Sequence, residues 1–113
     1  MNKPVRPEIP YIVRAMHSAQ GNVDILELAH KYFLSIRQFQ RIFKEHTGFS
    51  PKSFAKIARF NAVMSQSSNA EETLTEKAYR FGYYDQAHFI QDFKTYTGYT
   101  PGTYFTGKAE ELL

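Results

Sequence analysis

The chain has 113 residues, a formal net charge of +3 and no cysteine, which excludes disulfides, thiolate metal sites and cysteine nucleophiles. Hydrophobic residues make up 42% of the chain and aromatic residues 16%, so it can fold as one compact domain or as two small helical lobes. No apolar run approaches the roughly 20 residues that cross a bilayer, and we expect a cytoplasmic protein with no membrane partner.

The first predicted helix follows a proline-containing start. Residues 1–9 are predicted to be a linker, and a helix is predicted over about 10–19, ended by Gly21. The apolar residues that recur there at helical spacing are Ile9, Ile12, Val13 and Met16.

Cap signals then predict a helix-turn-helix. Asp24 with Glu27 has the form of a capping box and opens a short helix to about Tyr32. Ser35 with Gln38 caps a second helix. The turn contains Phe33 and Leu34, the inward face of the second helix contains Phe39, Ile42, Phe43 and His46, and Gly48 follows its end. Two short helices joined by a tight turn form a helix-turn-helix.

A linker helix and a second helix-turn-helix follow. Ser50 as N-cap and Pro51 in the first helical position predict a helix over 51–65, before a polar loop over 66–72. The helical pattern continues through Phe54, Ile57, Phe60, Asn61 and Met64. Thr73 and Glu76 repeat the capping box, and Asp85 caps the next helix. The second turn contains Gly82, Tyr83 and Tyr84, the helix after it carries Phe89, Phe93 and Tyr96 before Gly98, and Thr100-Pro101 opens a last short turn.

The two helix-turn-helix segments are diverged copies of one another. Nine positions of the first copy match positions fifty residues later, of which six are identical and three exchange only aromatic or hydroxyl types. The nine are Phe39, Phe43, Lys44, Thr47, Gly48, Phe49, Ser50, Pro51 and Phe54. The predicted fold is all-α, with helix-turn-helix lobes over 10–50 and 66–106, a linker helix over 51–65 and a frayed tail over 107–113.

Positive charge is concentrated in the first copy. Residues 31–61 contain seven Lys or Arg against one Glu, a formal charge of +6, whereas basic and acidic residues balance over 73–101. A polyanion would therefore be held mainly by the first copy and the linker helix.

The second helix of the first lobe presents a polar face opposite its apolar one. Helical geometry places Ile36, Arg37, Gln40, Arg41 and Lys44 on this face. Arg can pair with guanine and Gln with adenine in a major groove, so Arg37, Gln40 and Arg41 are candidate base readers. The alternative is that these side chains only solubilise an exposed helix.

Other polar groups are candidate phosphate contacts. Lys52, Lys56 and Arg59 form a stripe along the linker helix that could rest on phosphates or simply face water. Of Tyr83 and Tyr84, we expect one ring to pack in the turn and the other to offer its hydroxyl to phosphate. The full set of predicted phosphate contacts is Ser35, Lys44, Lys52, Lys56, Arg59, Tyr84 and Lys94.

The second lobe carries fewer signals of this kind. Gln86 and Gln91 are candidate base contacts, but the helix contains no arginine. Asp85 and Asp92 would repel phosphate unless Asp85 serves as an N-cap. We expect weaker or more sequence-tolerant contact from this lobe.

Catalysis has no support in the sequence. The four histidines lack close metal-ligand spacing, and no nucleophile elbow, Walker loop or dinucleotide glycine pattern occurs. We expect no enzyme, no metal and no cofactor. The class that competes with a DNA binder is a helical protein-interaction module whose basic face binds an acidic partner.

Residues 10–105, including FKEHTGFSPKSFAKIARFN and AYRFGYYDQAHFIQDFKTYTGYTPGTY, resemble the DNA-binding domain of AraC/XylS-type bacterial transcription regulators. The resemblance implies two homeodomain-like lobes, each with its second helix in a successive major groove, about 34 Å apart on duplex DNA. The base readers that it implies are Arg37, Gln40 and Arg41 in the first lobe and Gln86, Ala87, His88 and Gln91 in the second.

The resemblance also implies partners and shows two departures. It implies RNA polymerase as a partner, a separate N-terminal effector-sensing domain that this chain lacks, and a monomeric isolated domain. Lys77 stands where the family usually has an apolar residue, which implies looser packing or a shifted helix. Gln91 and Asp92 stand where many members have an arginine.

Overall fold

The computed structural model describes residues 6–66 and 69–106. These ranges contain seven α-helices and no β-strand, which confirms the predicted all-α fold, and the predicted last short turn is the seventh helix. The helices are α1 Glu8–Ser18, α2 Ile25–Lys31, α3 Ile36–Thr47, α4 Pro51–Ser65, α5 Leu74–Arg80, α6 Gln86–Thr97 and α7 Pro101–Thr106. Parts of the predicted linker and polar loop, 1–5 and 67–68, and the predicted frayed tail over 107–113 lie outside the described residues. No helix in the described ranges is long and apolar enough to cross a membrane.

The chain divides into two compact units, Met1–Asn61 and Ala62–Leu113. The boundary falls inside α4, so the first unit contains α1, α2, α3 and most of α4. The second contains the end of α4 with α5, α6 and α7. The helix-turn-helix of the first unit is therefore α2–α3, and that of the second is α5–α6.

The first unit is packed around α3. Phe39 and Phe43 are fully buried, and their rings meet edge to face with 5.6 Å between centroids. Phe54 of α4 makes a further edge-to-face contact with Phe43, also at 5.6 Å. The other buried members of this core are Ile9, Ile12, Met16, Ala29, Leu34, Ile42 and Ala55. Burial of each large apolar side chain stabilises a fold by about 1.5–3 kcal/mol, so this core fixes one face of α3 inward.

Both helices of the first helix-turn-helix begin at the predicted caps. The Asp24 carboxylate accepts a hydrogen bond from the Glu27 N–H at 3.1 Å, at the start of α2. At the start of α3, the Gln38 N–H donates to Ser35 Oγ at 3.1 Å, and the Ser35 N–H donates to Gln38 Oε1 at 3.0 Å. The helix ends at Gly48, whose φ of +83° is the left-handed conformation predicted for that position.

Two details of the first unit differ from the prediction. α1 begins at Glu8, so Pro10 lies in its first turn, where a missing N–H breaks no helical hydrogen bond. His46, which is predicted to face inward, is exposed, and its Nδ1 lies 2.9 Å from the Ile42 carbonyl oxygen. The inward prediction is wrong because the ring reaches a backbone carbonyl one turn back along α3 while it stays in water.

α4 buries more of its surface than its predicted stripe. Phe60 is buried and Phe54, Ile57 and Met64 are half-buried, in line with the prediction, whereas Asn61 of the same pattern is exposed. The further buried residues of this helix are Pro51, Ala55, Ala62 and Val63. Alanine and proline carry little hydrophobic signal, and this is why the periodicity misses Pro51, Ala55 and Ala62; Val63 is apolar and lies outside the predicted pattern.

The second unit repeats the cap geometry of the first. The Glu76 N–H donates to Thr73 Oγ1 at 3.1 Å, and the Thr73 N–H donates to Glu76 Oε1 at 3.2 Å, which forms the predicted capping box of α5. Asp85 Oδ1 accepts the His88 N–H at 2.7 Å and caps α6. Both helices of the second helix-turn-helix therefore begin where they are predicted to begin.

Aromatic packing in the second unit also follows the first. Phe89 and Phe93 are buried, with ring centroids 5.8 Å apart in an edge arrangement. Tyr104 of α7 meets the Phe93 ring edge to face at 5.2 Å. Tyr104 stands fifty residues after Phe54, so the same contact holds the following helix in both copies.

Lys77 occupies an interior position of the second unit. The side chain is only 5% exposed, and the neighbouring Ala78 is 1% exposed. The Lys77 ammonium donates a hydrogen bond to the carbonyl oxygen of Gln66, directly after the end of α4. A cation is favourable beside the carbonyls at a helix C-terminus, so the lobe accommodates a lysine at an interior position.

The repeated Thr-Gly pair has a structural role. Thr47 Oγ1 donates to the Phe43 carbonyl at 2.8 Å and accepts the Phe49 N–H at 3.1 Å. The matching contacts of the second copy are those of Thr97 with Phe93 and Tyr99, at 2.7 and 3.1 Å. The hydroxyl thus joins the last turn of one helix to the segment that begins the next.

Candidate nucleic-acid interface

The exposed face of α3 carries the base readers predicted for the first lobe. Arg37, Gln40 and Arg41 are all exposed, on the side of α3 opposite its buried phenylalanines. A guanidinium nitrogen of Arg41 lies 3.6 Å from Glu45 Oε1 in an ion pair between exposed side chains. Such pairs contribute little free energy, so Arg41 can exchange this partner for another acceptor.

The capping box decides which polar groups at the start of α3 can meet a ligand. Gln38 uses its side-chain oxygen to accept the Ser35 N–H, which holds it beside the cap. Ser35 Oγ accepts a backbone hydrogen bond, and its own hydroxyl hydrogen can still be donated. Ser35 is exposed, which suits it to donate to a phosphate oxygen.

The matching face of α6 is polar and carries no arginine, although Lys94, the match of Lys44, is exposed on this helix. Gln86, Ala87 and Gln91 are exposed. His88 is half-buried, and its ring meets the Tyr83 ring edge to face with 5.6 Å between centroids. His88 is the third residue after its N-cap, as Gln38 is in α3, and this position lies at the edge of the exposed face.

The two acidic residues predicted to repel phosphate, Asp85 and Asp92, differ in exposure. Asp85 is the N-cap, as one reading of the sequence requires. Asp92 is only 4% exposed and accepts a hydrogen bond from the Tyr83 hydroxyl at 3.0 Å. Asp92 therefore does not lie on the exposed face of α6, because its carboxylate is enclosed by the lobe. The pKa of Tyr96 is raised, chiefly by the partial burial of its own ring and secondly by the negative charge of Asp92.

The predicted phosphate contacts differ in exposure. On α4, Lys52 is exposed, whereas Lys56 and Arg59 are half-buried and the Arg59 Nε is enclosed. The exposed members of the set are Ser35, Lys44, Lys52, Tyr84 and Lys94. An exposed ammonium can meet a phosphate without rearrangement of the fold, so Lys52 is the best placed residue of the α4 stripe.

The turns of the two lobes differ by one residue. The Leu34 N–H donates to the carbonyl of buried Ala29 at 2.9 Å, and the Tyr83 N–H donates to the carbonyl of buried Ala78 at 3.0 Å. Leu34 is followed directly by its N-cap, whereas the second turn inserts Tyr84 before its N-cap. Tyr83 is 4% exposed and Tyr84 is 89% exposed, as predicted for a pair with one packed and one outward ring.

Phe33 is exposed to solvent in this region, and it is not among the residues predicted to contact DNA. Phe33 is 96% exposed and has a φ of +59°. The second copy has Gly82 at the same place in the turn, with a φ of +98°. Gly82 lies 49 residues after Phe33, whereas the helices that follow the turns match at an offset of fifty, so the repeat at fifty does not pair these two residues.

Comparison with known proteins agrees with this architecture. A family model described as a helix-turn-helix domain matches residues 28–107. An uncharacterized HTH-type transcriptional regulator of Haemophilus influenzae is 28% identical over 93 residues, which cover 82% of this chain and 31% of the relative. The HTH-type transcriptional activator RhaS of Salmonella arizonae is 30% identical over 74 residues, which cover 66% of this chain and 27% of the relative. No solved structure matches the chain significantly.

The chain spans less than a third of the length of these two relatives, 31% and 27%. The family match nevertheless covers well over half of the chain itself, from within α2 through the whole of the second helix-turn-helix. The chain therefore belongs to the AraC-type helix-turn-helix family of transcription regulators.

Proposed function

We propose that this chain binds duplex DNA sequence-specifically and reads bases chiefly through α3 of its first lobe. The observation that carries the proposal is the exposed Arg37, Gln40 and Arg41 face on a helix whose other side is locked into an aromatic core. Arg and Gln are the side chains whose paired donors and acceptors match guanine and adenine edges in the major groove. The formal charge of +6 over residues 31–61 supplies the matching attraction to phosphate.

In the first lobe, we assign base recognition and the positioning of the protein on the DNA backbone to different residues. Base reading belongs to the Arg37 face, which enters the groove from the N-terminal half of α3. Phosphate contacts belong to the exposed groups around it, Ser35, Lys44 and Lys52, with Lys56 and Arg59 as half-buried members of the same stripe. Phosphate contacts fix the register of a protein on DNA and carry no sequence information.

The second lobe makes a weaker contribution in this proposal. Its exposed face offers Gln86, Ala87 and Gln91, with His88 at the edge, and Tyr84 and Lys94 as phosphate contacts. Neutral amides can read bases, but they release no counterions and add little affinity. The preferred DNA site is therefore asymmetric, with one strong and one tolerant half.

For the whole regulator we propose that it recruits or blocks RNA polymerase. The relative named RhaS is a transcriptional activator, and it is several times longer than its matched segment. The additional length of such a regulator would contain the effector-sensing domain. The present chain, taken alone, would bind DNA as a monomer because its two lobes already supply two reading helices.

The proposal is tested by selection of bound duplexes from a random pool with this chain. We expect enrichment of an asymmetric motif with one strongly and one weakly specified half. A pool that stays random after repeated rounds would contradict sequence-specific binding.

The same selected duplexes separate this function from a protein-interaction module. A module that binds an acidic protein through its basic face would bind random and selected duplexes equally at every salt concentration. A sequence-specific DNA binder keeps its preference for the selected duplex as salt rises, although both affinities fall.

A further inference from the structure

We propose that Phe33 is a DNA-contacting residue whose ring packs against the deoxyribose wall of the groove that receives α3. The inference rests on the proposed function of the first lobe. It adds an apolar, sequence-independent contact to the polar contacts assigned above.

Phe33 carries two unfavourable features that nothing within the described chain offsets. Its ring is 96% exposed, so the fold gains almost nothing from burying it. Its φ of +59° lies in the left-handed region, which disfavours any residue with a Cβ atom. In the described ranges only Gln20 and Phe33 have a positive φ without being glycine.

The second copy shows what the turn itself requires. Gly82 occupies the same place, with its N–H bonded to the carbonyl three residues before it, as in Phe33. The φ of Gly82 is +98°, which glycine adopts without strain. The turn therefore needs a left-handed residue and does not need a phenyl ring. A strained residue retained where glycine would fit points to a role outside the fold.

The position of Phe33 favours DNA as its partner. Phe33 lies two residues before the Ser35 cap, so their Cα atoms are within about 7 Å of one another. Ser35 and Arg37 are exposed on the same end of α3, and the surrounding segment is strongly basic. In helix-turn-helix docking the N-terminal residues of the reading helix contact base edges and the first helix crosses the backbone, so the turn between them lies close to both.

The second lobe has a parallel feature in another position. Tyr84, directly before the Asp85 cap, is 89% exposed, which makes it second only to Phe33 among the described large apolar side chains. Both lobes thus place one outward ring next to the cap of the reading helix. The sugar edge of a DNA backbone offers both rings the same apolar surface.

The test uses substitutions at Phe33 that separate the ring from the backbone conformation. Phe33→Asn and Phe33→Gly remove the ring and tolerate a positive φ, whereas Phe33→Tyr keeps the ring. Gln20→Gly is the matched control, since it relieves a positive φ elsewhere in the chain. Each variant of the full chain is titrated with the selected duplex and with a random duplex, at low and at high salt, and its denaturation midpoint is measured.

We expect Phe33→Asn and Phe33→Gly to bind both duplexes about fivefold more weakly, because an apolar contact is lost that carries no sequence information. The factor should be the same at both salt concentrations, because the ring has no charge. The denaturation midpoint should not fall. Phe33→Tyr and Gln20→Gly should bind like the unsubstituted chain.

Several results would overturn the assignment. One is unchanged DNA affinity in the Asn and Gly variants while Arg37→Ala is weakened, which would remove Phe33 from the interface and leave the proposed function intact. A second is loss of affinity in Phe33→Tyr as well. A third is a lowered denaturation midpoint in the Asn and Gly variants. Either would mean that loss of the ring is not what weakens DNA binding. Normal DNA binding with lost binding to RNA polymerase would assign the ring to a protein contact instead. Failure of both Phe33 and Arg37 variants to change affinity would contradict the proposed function itself.

Discussion

The hydroxyl of Tyr83 donates a hydrogen bond to a carboxylate oxygen of Asp92 across 3.0 Å, inside the second lobe. The matching positions of the first lobe hold Leu34 and Ile42, and both belong to its apolar core. The second lobe therefore has a polar pair where the first lobe has an apolar one. Both pairs are interior, so the Asp92 carboxylate does not lie on the surface proposed to face DNA.

Replacement of the tyrosine tests this pair. Tyr83→Phe should lower the free energy of unfolding by about 1–2 kcal/mol, because the buried Asp92 carboxylate loses a donor. Chemical denaturation followed by circular dichroism measures the change. Tyr79→Phe is the control, since that ring is 48% exposed and its hydroxyl can meet water. Equal losses from the two substitutions would mean that the hydrogen bond does not stabilise the lobe.

The ion pair between Glu72 and Arg80 predicts a pH dependence of stability. Arg80 Nε donates to Glu72 Oε2 at 2.8 Å, and this hydrogen bond, followed by that from the Asn69 N–H, lowers the pKa of Glu72 from 4.5. The ionised carboxylate therefore stabilises the fold above about pH 4.5, and this contribution is lost as pH falls through the lowered pKa.

Glu72→Gln should accordingly reduce the stability of the chain at neutral pH and reduce its further loss of stability below pH 4.5. Denaturation midpoints measured across this range give both quantities. Glu71→Gln removes the same charge from an exposed neighbouring residue and should leave the acid response as it is. An identical acid response in Glu72→Gln and the unsubstituted chain would contradict the assignment.

A glycine at the end of α1 predicts a large packing effect. A Cβ atom at Gly21 would lie 2.1 Å from the Ala55 carbonyl oxygen, and the φ of Gly21 is +80°. Gly21→Ala should lower the free energy of unfolding by at least about 2 kcal/mol, through backbone strain and a steric clash. Gly102→Ala is the control, because that glycine lies in α7 with no atom near its Cβ position, and it should raise stability slightly. A tolerated Gly21→Ala would mean that α1 does not end against α4 in this way.

Lys52 tests the separation of phosphate contacts from base contacts. Lys52→Ala should weaken binding to selected and random duplexes by the same factor and lower the slope of log affinity against log salt by about one. Binding titrations over a range of salt concentrations measure the slope. Glu45→Gln is the control, because it removes a negative charge from the same lobe and should not lower the slope of log affinity against log salt. Loss of affinity confined to the selected duplex would place Lys52 on a base instead.

The helices and their caps could be predicted because local chemistry decides them. Ser35, Thr73 and Asp85 each cap the helix that the sequence assigns to them, since a side-chain oxygen next to an apolar periodic segment has few other uses. The exposed face of α3 followed from the spacing of its buried phenylalanines.

The remaining features depend on contacts that no local pattern encodes. Asp92 was expected on the surface because it is charged, and only the position of Tyr83 across the lobe explains its burial. Lys77 is interior because the Gln66 carbonyl at the end of α4 lies within its reach. The match between Phe33 and Gly82 rests on the hydrogen bonds of the two turns, because the second turn is one residue longer before its N-cap.

The central claim, that α3 reads base sequence, is tested most directly by the affinity of Arg37→Ala for the selected duplex. The matched control is Arg14→Ala, which removes the same charge from an exposed position on α1. We predict a loss of about 1–3 kcal/mol for Arg37→Ala on the selected duplex, a smaller loss on random DNA, and little change for Arg14→Ala. Equal affinities of Arg37→Ala, Arg14→Ala and the unsubstituted chain for the selected duplex would contradict the claim.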